Sequence, residues 1–276
     1  IEKNFNPKKI NNVVNKWIVH SLIELNEDIT ISIEEYKFNE ASNDLYHFIW
    51  GTFCDWYLEF TKIIYLSNDK VIINETKQIT SFVLSKILIM LHPIMPFFTE
   101  HVWNEASKNL NKDSSRICQS KWPMQMKLNN IDSNKVNLLI DLISSIRSTR
   151  AELNVPAKSR LNLIYSNISS DLEEIIENNK EIVNTLTRSN SFEKSEYLKN
   201  EGMVQVIFND GLIYLSLKGI IDFEEEKKRL QKNLEKLDIE INKIQIKLDD
   251  QNFMNNAPEE IVKEQKERKA EYQLSK

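Results

Sequence analysis

Between Lys9 and Glu34, apolar residues return at Val14, Trp17, Ile18, Leu22, Leu25 and Ile29. Spacings of three and four mark one face of an α-helix, so this stretch predicts a helix with a single buried stripe. After a break at "EEYKFNEA" the period resumes through Leu45, Phe48, Ile49, Phe53, Trp56 and Phe60, to about Leu66. Asn39 is expected to cap this second helix, with Phe38 ahead of it as a hydrophobic staple. A third helix is expected from about Val71 to Leu91, where Pro93 and Pro96 stop it. A short fourth, capped by Thr99, carries Val102 and Trp103. Long helices on short connections imply an antiparallel bundle over residues 1–110.

Residues 111–133 are polar and irregular, punctuated by Trp122 and Pro123, and read as a linker. From 134 to 221 the texture is that of a small α/β domain. A helix carries "LLIDLISSIRSTRAELNVP" and ends before Pro156, and "RLNLIY", "MVQVIF" and "LIYLSL" read as strands. The Asp-Gly pair in "FNDGLIY" marks a hairpin. From 222 to 276 the chain turns to Glu, Lys, Leu and Ile. Leu230, Leu234, Leu237, Ile241, Ile244 and Leu248 alternate spacings of four and three, the seam of a coiled coil. Pro258 and two glutamates suit the first turn of a return helix with the weaker seam Ile261, Gln265, Arg268, Tyr272. The expected fold is mainly α: a bundle, a small α/β domain and an antiparallel coiled-coil hairpin.

Only four glycines occur, Gly51, Gly202, Gly211 and Gly219, and no two share a phosphate loop or dinucleotide fingerprint. Nucleotide chemistry is therefore not expected within this chain. A net charge of −5 excludes a wholly basic nucleic-acid module, so an RNA partner would be held by local patches. Cys54 and Cys118 are isolated, giving neither a disulfide framework nor a zinc site. The absence of an 18-residue apolar run and of a signal-peptide pattern points to a cytoplasmic chain with no membrane role. The chain begins at Ile1 rather than Met and reads as a piece of something longer.

Several residues are candidates for chemistry. Cys54, in "FCDWYLEF", lacks a base that selects it, since His47 lies two helical turns away, and it reads as core. Asp55 and Glu59 share a helix face, but with Lys62 they read as an ion-paired surface. Lys16, Trp17 and His20 form a basic and aromatic cluster. Trp17 fits the apolar stripe, yet at an edge it would stack on an unpaired base, a contact of about 1–3 kcal/mol. Arg147 and Arg150 lie three apart opposite the apolar face of Leu139, Ile143 and Ile146, either as solvated charges or as a phosphate clamp. Lys243, Lys247, Lys266, Arg268 and Lys269 are interleaved with acids. With 12 basic and 14 acidic residues from Asp222 on, bulk charge there does not favour RNA.

Taken together, "NKWIVHSLIELNEDITISIEEYKFNEASNDLYHFIWGTFCDWYLEF" and "LHPIMPFFTEHVW" resemble the anticodon-binding bundle of class Ia aminoacyl-tRNA synthetases. "FCDWYLE", "IRSTRAELNVP" and "NFMNNAPEEIVKEQKER" are similar to the valyl-tRNA synthetase family, specifically its C-terminal region in bacteria. The resemblance covers essentially the whole chain. Degenerate echoes of that class's ATP signatures at His92 and Ser85 lie in or against an apolar helix, without the glycine or loop that ATP binding needs. The resemblance implies a parent enzyme that attaches valine to tRNA-Val with ATP and Mg²⁺, its catalytic and editing domains lying before Ile1. The chain itself would carry no cofactor and no catalytic residue. It would act as a monomer, joined to the rest of the synthetase on its N-terminal side. The bundle would read the anticodon and the hairpin would lean on the tRNA elbow. The resemblance assigns tRNA contacts first to Lys16, Trp17 and His20, next to Arg147 and Arg150, and then to the hairpin cations Lys243, Lys247, Lys266 and Arg268. The alternatives are a helical scaffold without an RNA role and the equivalent part of an isoleucyl enzyme.

Overall fold

Asn12 starts the first helix. Its side-chain oxygen accepts the N–H groups of Val14 and Asn15, two of the donors a helix start leaves open. In the computed structural model, which describes residues 9–106, 115–123, 133–195, 202–250, 253 and 257–274, α1 runs Val13–Glu34. Val14, Trp17, Ile18, Leu22, Leu25 and Ile29 are all buried, as their spacing predicts.

The second rod reaches Leu66, as expected, but changes winding on the way. It comprises α2 (Phe38–His47), a π-helical stretch (Phe48–Tyr57) and α3 (Leu58–Leu66). Lys37, not Asn39, holds the N-cap position, and Phe38 is an exposed helical residue rather than a staple. Wider π winding moves the buried face. Phe53, Tyr57 and Phe60 enter the core, while Trp56 stays half-buried. The core role of "FCDWYLEF" is thus carried by Tyr57 in place of Trp56. Cys54 is a half-buried neighbour.

Asp69 caps α4 (Lys70–Leu91) by accepting from Val71 and Ile72, and α5 (Pro96–Glu105) follows with Pro96 in its first turn. Thr99 lies inside α5 and is not its cap. Its hydroxyl donates to Met95 O at 2.9 Å and lies 2.7 Å from His92 Nδ1, tying the helix to the turn before it. Part of the expected linker returns to the bundle. Ile117, in a single 3₁₀ turn (Ile117–Gln119), is buried with Leu88, Ile89 and Trp103, and Trp122 Nε1 donates to Thr30 Oγ1 at 2.9 Å. Residues 107–114 and 124–132 lie outside the described residues.

Helix α6 (Ser133–Glu152) buries Val136, Leu139, Leu142, Ile143 and Ile146. The sheet holds β1 (Leu161–Ser166), β2 (Ser189–Lys194), β3 (Met203–Phe208) and β4 (Gly211–Ser216) in the order β2-β1-β4-β3. β1 and β2 are parallel, with Leu163 opposite Phe192, and α7 (Ser170–Asn178) and α8 (Lys180–Thr187) cross between them. Sequence patterning missed β2, whose "SNSFEK" offers one large apolar residue. The hairpin turn is Asn209–Asp210, with Asn209 at φ 51°, and Gly211 already belongs to β4. A Cβ on Gly211 would lie 2.5 Å from Ile168 Cγ2, so this strand start requires glycine.

The described residues fall into two compact units. One is drawn from Ile1–Thr149, Arg160–Tyr197 and Gln205–Leu215, the other from Arg150–Ser159, Leu198–Val204 and Ser216–Lys276. The second unit contains the hairpin of α9 (Phe223–Asp249), capped by Asp222, and α10 (Glu259–Leu274). Leu237, Ile241, Ile244 and Leu248 of α9 turn inward, as predicted, but Leu230 and Leu234, expected in the same seam, are 42% and 38% exposed. With Lys269 bonded to Gln245, the return helix ends at Leu274 before it draws level with them. In α10 the half-buried residues are Val262, Gln265, Lys269 and Tyr272, whereas Ile261 and Arg268 are exposed. The predicted α10 seam was therefore one position out of phase at two of its four places. Among the described residues no helix is long and apolar enough to cross a membrane.

Candidate nucleic-acid interface

Two helices of equal length set up one end of the bundle. Asn15 Nδ2 donates to Thr76 Oγ1 at 3.0 Å and to Glu75 Oε1 at 3.0 Å, so the start of α1 lies level with the start of α4. Farther along, Trp122 joins Thr30 of α1 to the cluster holding Leu88 and Ile89 of α4, so the two helices run in the same direction. Tyr36 and Phe38, just past α1, therefore share an end of the bundle with residues 94–98, just past α4. Apolar side chains crowd that end without being buried: Tyr36 is 80% exposed and Phe97 91% exposed, with Phe38, Ile94, Met95 and Phe98 also open to solvent. Tyr36 and Phe38 meet edge to face with ring centroids 6.3 Å apart. Exposed aromatics gathered at one end of a bundle are suited to contact with another surface, and unpaired bases stack on such rings.

Apart from Phe38, expected as a helix staple, none of these residues stands out in the sequence, and none of them is expected there as an RNA contact. The available signal was that "YKF" and "MPFF" place aromatics where the helical period has lapsed, so neither run has a stripe to join.

The residues singled out in the sequence take other places. Trp17 is 3% exposed, meets Phe60 edge to face, and spends its indole N–H on Asn137 Oδ1 at 2.8 Å. It has no open face on which a base could stack, which settles it as core. Lys16 and His20 are half-buried on one side of α1, with His20 Nδ1 3.4 Å from Glu24 Oε2. Both lie toward the start of α1, away from the aromatic end.

Arg150 is 7% exposed and donates to Ser159 O at 2.7 Å, so it staples the turn after α6 and is not available as a phosphate clamp. Arg147 remains accessible but is committed within the fold. Its Nε donates to Leu186 O at 2.8 Å and its guanidinium lies 5.4 Å from the Trp56 ring centroid. Burial lowers its pKa, against the opposing pull of Glu59.

On the hairpin, Lys243, Lys247, Lys266 and Arg268 are exposed. Lys243 pairs with Glu240 at 2.7 Å, and Arg268 donates to the Tyr272 hydroxyl at 3.0 Å. Lys269 turns into the seam and bonds Gln245.

ATP with Mg²⁺ does not fit the clefts described here. A cleft of about 380 Å³ at the base of α9 is lined by Asp222, Glu225 and Glu226. Its one cation, Arg229, is already held by Glu226 and by Glu152 O. That lining repels a triphosphate. A second cleft of about 300 Å³ carries Asp69, Glu177 and Glu181 against Lys180 alone.

Residues 15–165 match the model of the anticodon-binding domain of tRNA ligase, and residues 222–276 match that of the valyl tRNA synthetase tRNA binding arm. Among curated proteins, the valine–tRNA ligase of Rhizobium meliloti is 33% identical over 272 residues, covering 99% of this chain and 29% of the relative. That of Bartonella quintana is 34% identical over 273 residues, covering 98% and 30%. That of Oceanobacillus iheyensis is 32% identical over 261 residues, covering 93% and 29%. The chain thus spans under a third of the length of these relatives.

Proposed function

The chain belongs to the anticodon-binding family of tRNA ligases and carries the tRNA-binding arm of valyl-tRNA synthetases, and from that premise we propose that it holds tRNA-Val for a valine-attaching enzyme. The supporting observation is the open aromatic end of the bundle, shared by Tyr36, Phe38 and residues 94–98, inside the anticodon-binding match. Anticodon bases are unpaired, so their faces are free to stack on such rings while their edges are read by polar neighbours. The arm would take the elbow by shape and backbone. In this reading the parent enzyme binds valine, ATP and Mg²⁺ elsewhere and works in the cytoplasm, and this chain is a monomeric recognition piece without catalytic residues.

Filter binding of the whole chain to a tRNA-Val transcript, set beside one with a substituted anticodon, tests the reading. We expect the substituted transcript to bind more weakly. Equal affinity for both would remove the anticodon claim. Light scattering of the chain in solution tests the monomer assignment.

A further inference from the structure

Counted in bulk, the hairpin gives no reason for RNA to prefer any side of it. Helical phase separates what the count mixes. Successive residues turn by about 100°, so each residue can be placed relative to the seam. In α9 the seam is Leu237, Ile241, Ile244 and Leu248. Lys228, Lys232, Lys236, Lys243 and Lys247 all project away from it, on one broad stripe of the outward face, and all five are exposed. Glu225 lies within the stripe at its first turn, Glu235 and Glu240 border it, and Glu240 is paired to Lys243. Lys228, Lys232, Lys236 and Lys247 form no ion pair among the described residues. Within the stripe Ile239 is 54% exposed and Ile246 70% exposed, seven residues apart on the side opposite the seam.

The return helix is built the other way. With Val262, Gln265, Lys269 and Tyr272 facing α9, the outward face of α10 carries Glu260, Glu264, Glu267 and Glu271 at spacings of four, three and four. The cation entering that face, Lys263, lies 3.8 Å from Glu267. The hairpin therefore has one basic edge and one acidic edge, on opposite sides of its seam.

We propose that the arm contacts RNA through the outward edge of α9, Lys228, Lys232, Lys236, Lys243 and Lys247 with Ile239 and Ile246 between them, and that the glutamate edge of α10 faces away. The proposal rests on the tRNA-binding reading above and adds the side on which the arm is used. Five lysines along one helix match the repeating charge of a phosphate backbone. The two isoleucines offer apolar contact to sugars and base edges between phosphates. Lys266 and Arg268, off this edge, take no part in it.

The test uses the whole chain and a tRNA-Val transcript over a salt series. One variant joins Lys232→Gln, Lys236→Gln and Lys247→Gln; another joins Glu264→Gln, Glu267→Gln and Glu271→Gln. Circular dichroism confirms unchanged helix content in both. We expect the α9 variant to flatten the slope of log affinity on log salt by roughly two to three, the counterions no longer released. The α10 variant should bind at least as well as the parent. A slope unchanged by the α9 variant, or lowered as much by the α10 variant, overturns the choice of edge while leaving tRNA binding intact. A parent chain that fails to bind the transcript at low salt overturns the underlying reading as well. Anionic vesicles provide the remaining arm: vesicle binding lost in the α9 variant, with RNA binding unaltered, assigns the stripe to a membrane surface and overturns the proposal.

Discussion

The Tyr57 hydroxyl donates to Asn15 Oδ1 at 3.0 Å, joining two fully buried residues from different helices of the bundle. It lies 3.2 Å from Thr80 Oγ1 as well, so three helices meet at one polar point in an apolar interior. Burial pushes the phenol pKa well above its ordinary value, and the hydroxyl stays a donor throughout the neutral range. Tyr57→Phe would keep the ring and strand the Asn15 oxygen. Leaving a buried acceptor unpaired costs about 1–3 kcal/mol. Urea unfolding followed by circular dichroism should show a loss of that size, and a change within about 0.5 kcal/mol would place the polar point outside the cooperative core.

Tyr57 also shows where the sequence stops being readable. The stripe of α1 was legible because an unbroken α-helix keeps its phase, so that Val14 predicts the placement of Ile29. The rod from Phe38 to Leu66 does not keep phase, and no periodicity argument written for 3.6 residues per turn can place Trp56 and Tyr57 through its π-helical middle. In α10 the misreading had a different source. Ile261 looks like a seam residue by hydrophobicity, but Val262 takes the place, and Lys269 supplies a long aliphatic stem where Arg268 was expected. The aromatic end escaped notice because its residues obey no period, and only the fold brings residue 36 level with residue 97.

Trp17 and the exposed aromatics should separate cleanly by mutation. Trp17→Ala opens a cavity in the bundle core and is expected to cost about 3–5 kcal/mol of stability. Tyr36→Ala and Phe97→Ala are expected to leave stability within about 0.5 kcal/mol, since neither side chain is buried. Each should weaken binding of the tRNA-Val transcript by up to about 1–3 kcal/mol if its ring stacks on a base. Thermal unfolding read beside filter binding distinguishes the two classes. Tyr36→Ala and Phe97→Ala chains that both bind as tightly as the parent would move RNA recognition off this end.

The two cysteines should label at different rates. Cys118 is exposed, while the thiol of Cys54 is half-buried and its pKa is raised, first by burial and then by the charge of Asp55. A raised thiol pKa means less thiolate at neutral pH, and thiolate is the reactive form. Iodoacetamide at pH 7.5 followed by peptide mass spectrometry should therefore find Cys118 modified well before Cys54. Faster labelling at Cys54 than at Cys118 would contradict the raised thiol pKa.

At the base of the hairpin, Arg229 grips both carboxylate oxygens of Glu226 and the carbonyl of Glu152. The hydrogen bond from Arg229 holds the Glu226 carboxyl below its ordinary pKa. A depressed carboxyl contributes its stabilisation fully above the unfolded-state pKa, and that contribution is lost as pH falls through the lowered folded value. The grip should thus hold at neutral pH and loosen only in acid, below the usual carboxylate range. An NMR titration of the Glu226 side chain checks this, with Glu226→Gln expected to abolish the acid-range change at Arg229. A Glu226 midpoint at or above the ordinary glutamate value would contradict the geometry.

Opposite charge on the two edges of the hairpin bears on how fast a complex forms. In the field of a polyanion, a helix pair with lysines on one side and glutamates on the other experiences a torque before it makes contact. Encounters that begin with the wrong edge forward are turned or repelled, so a larger share of collisions ends productively. Such steering belongs to the association step and fades as salt shortens the reach of the charges. Association would therefore slow steeply with added salt while the lifetime of the formed complex changes less, leaving capture, more than retention, as the step most sensitive to the ionic surroundings.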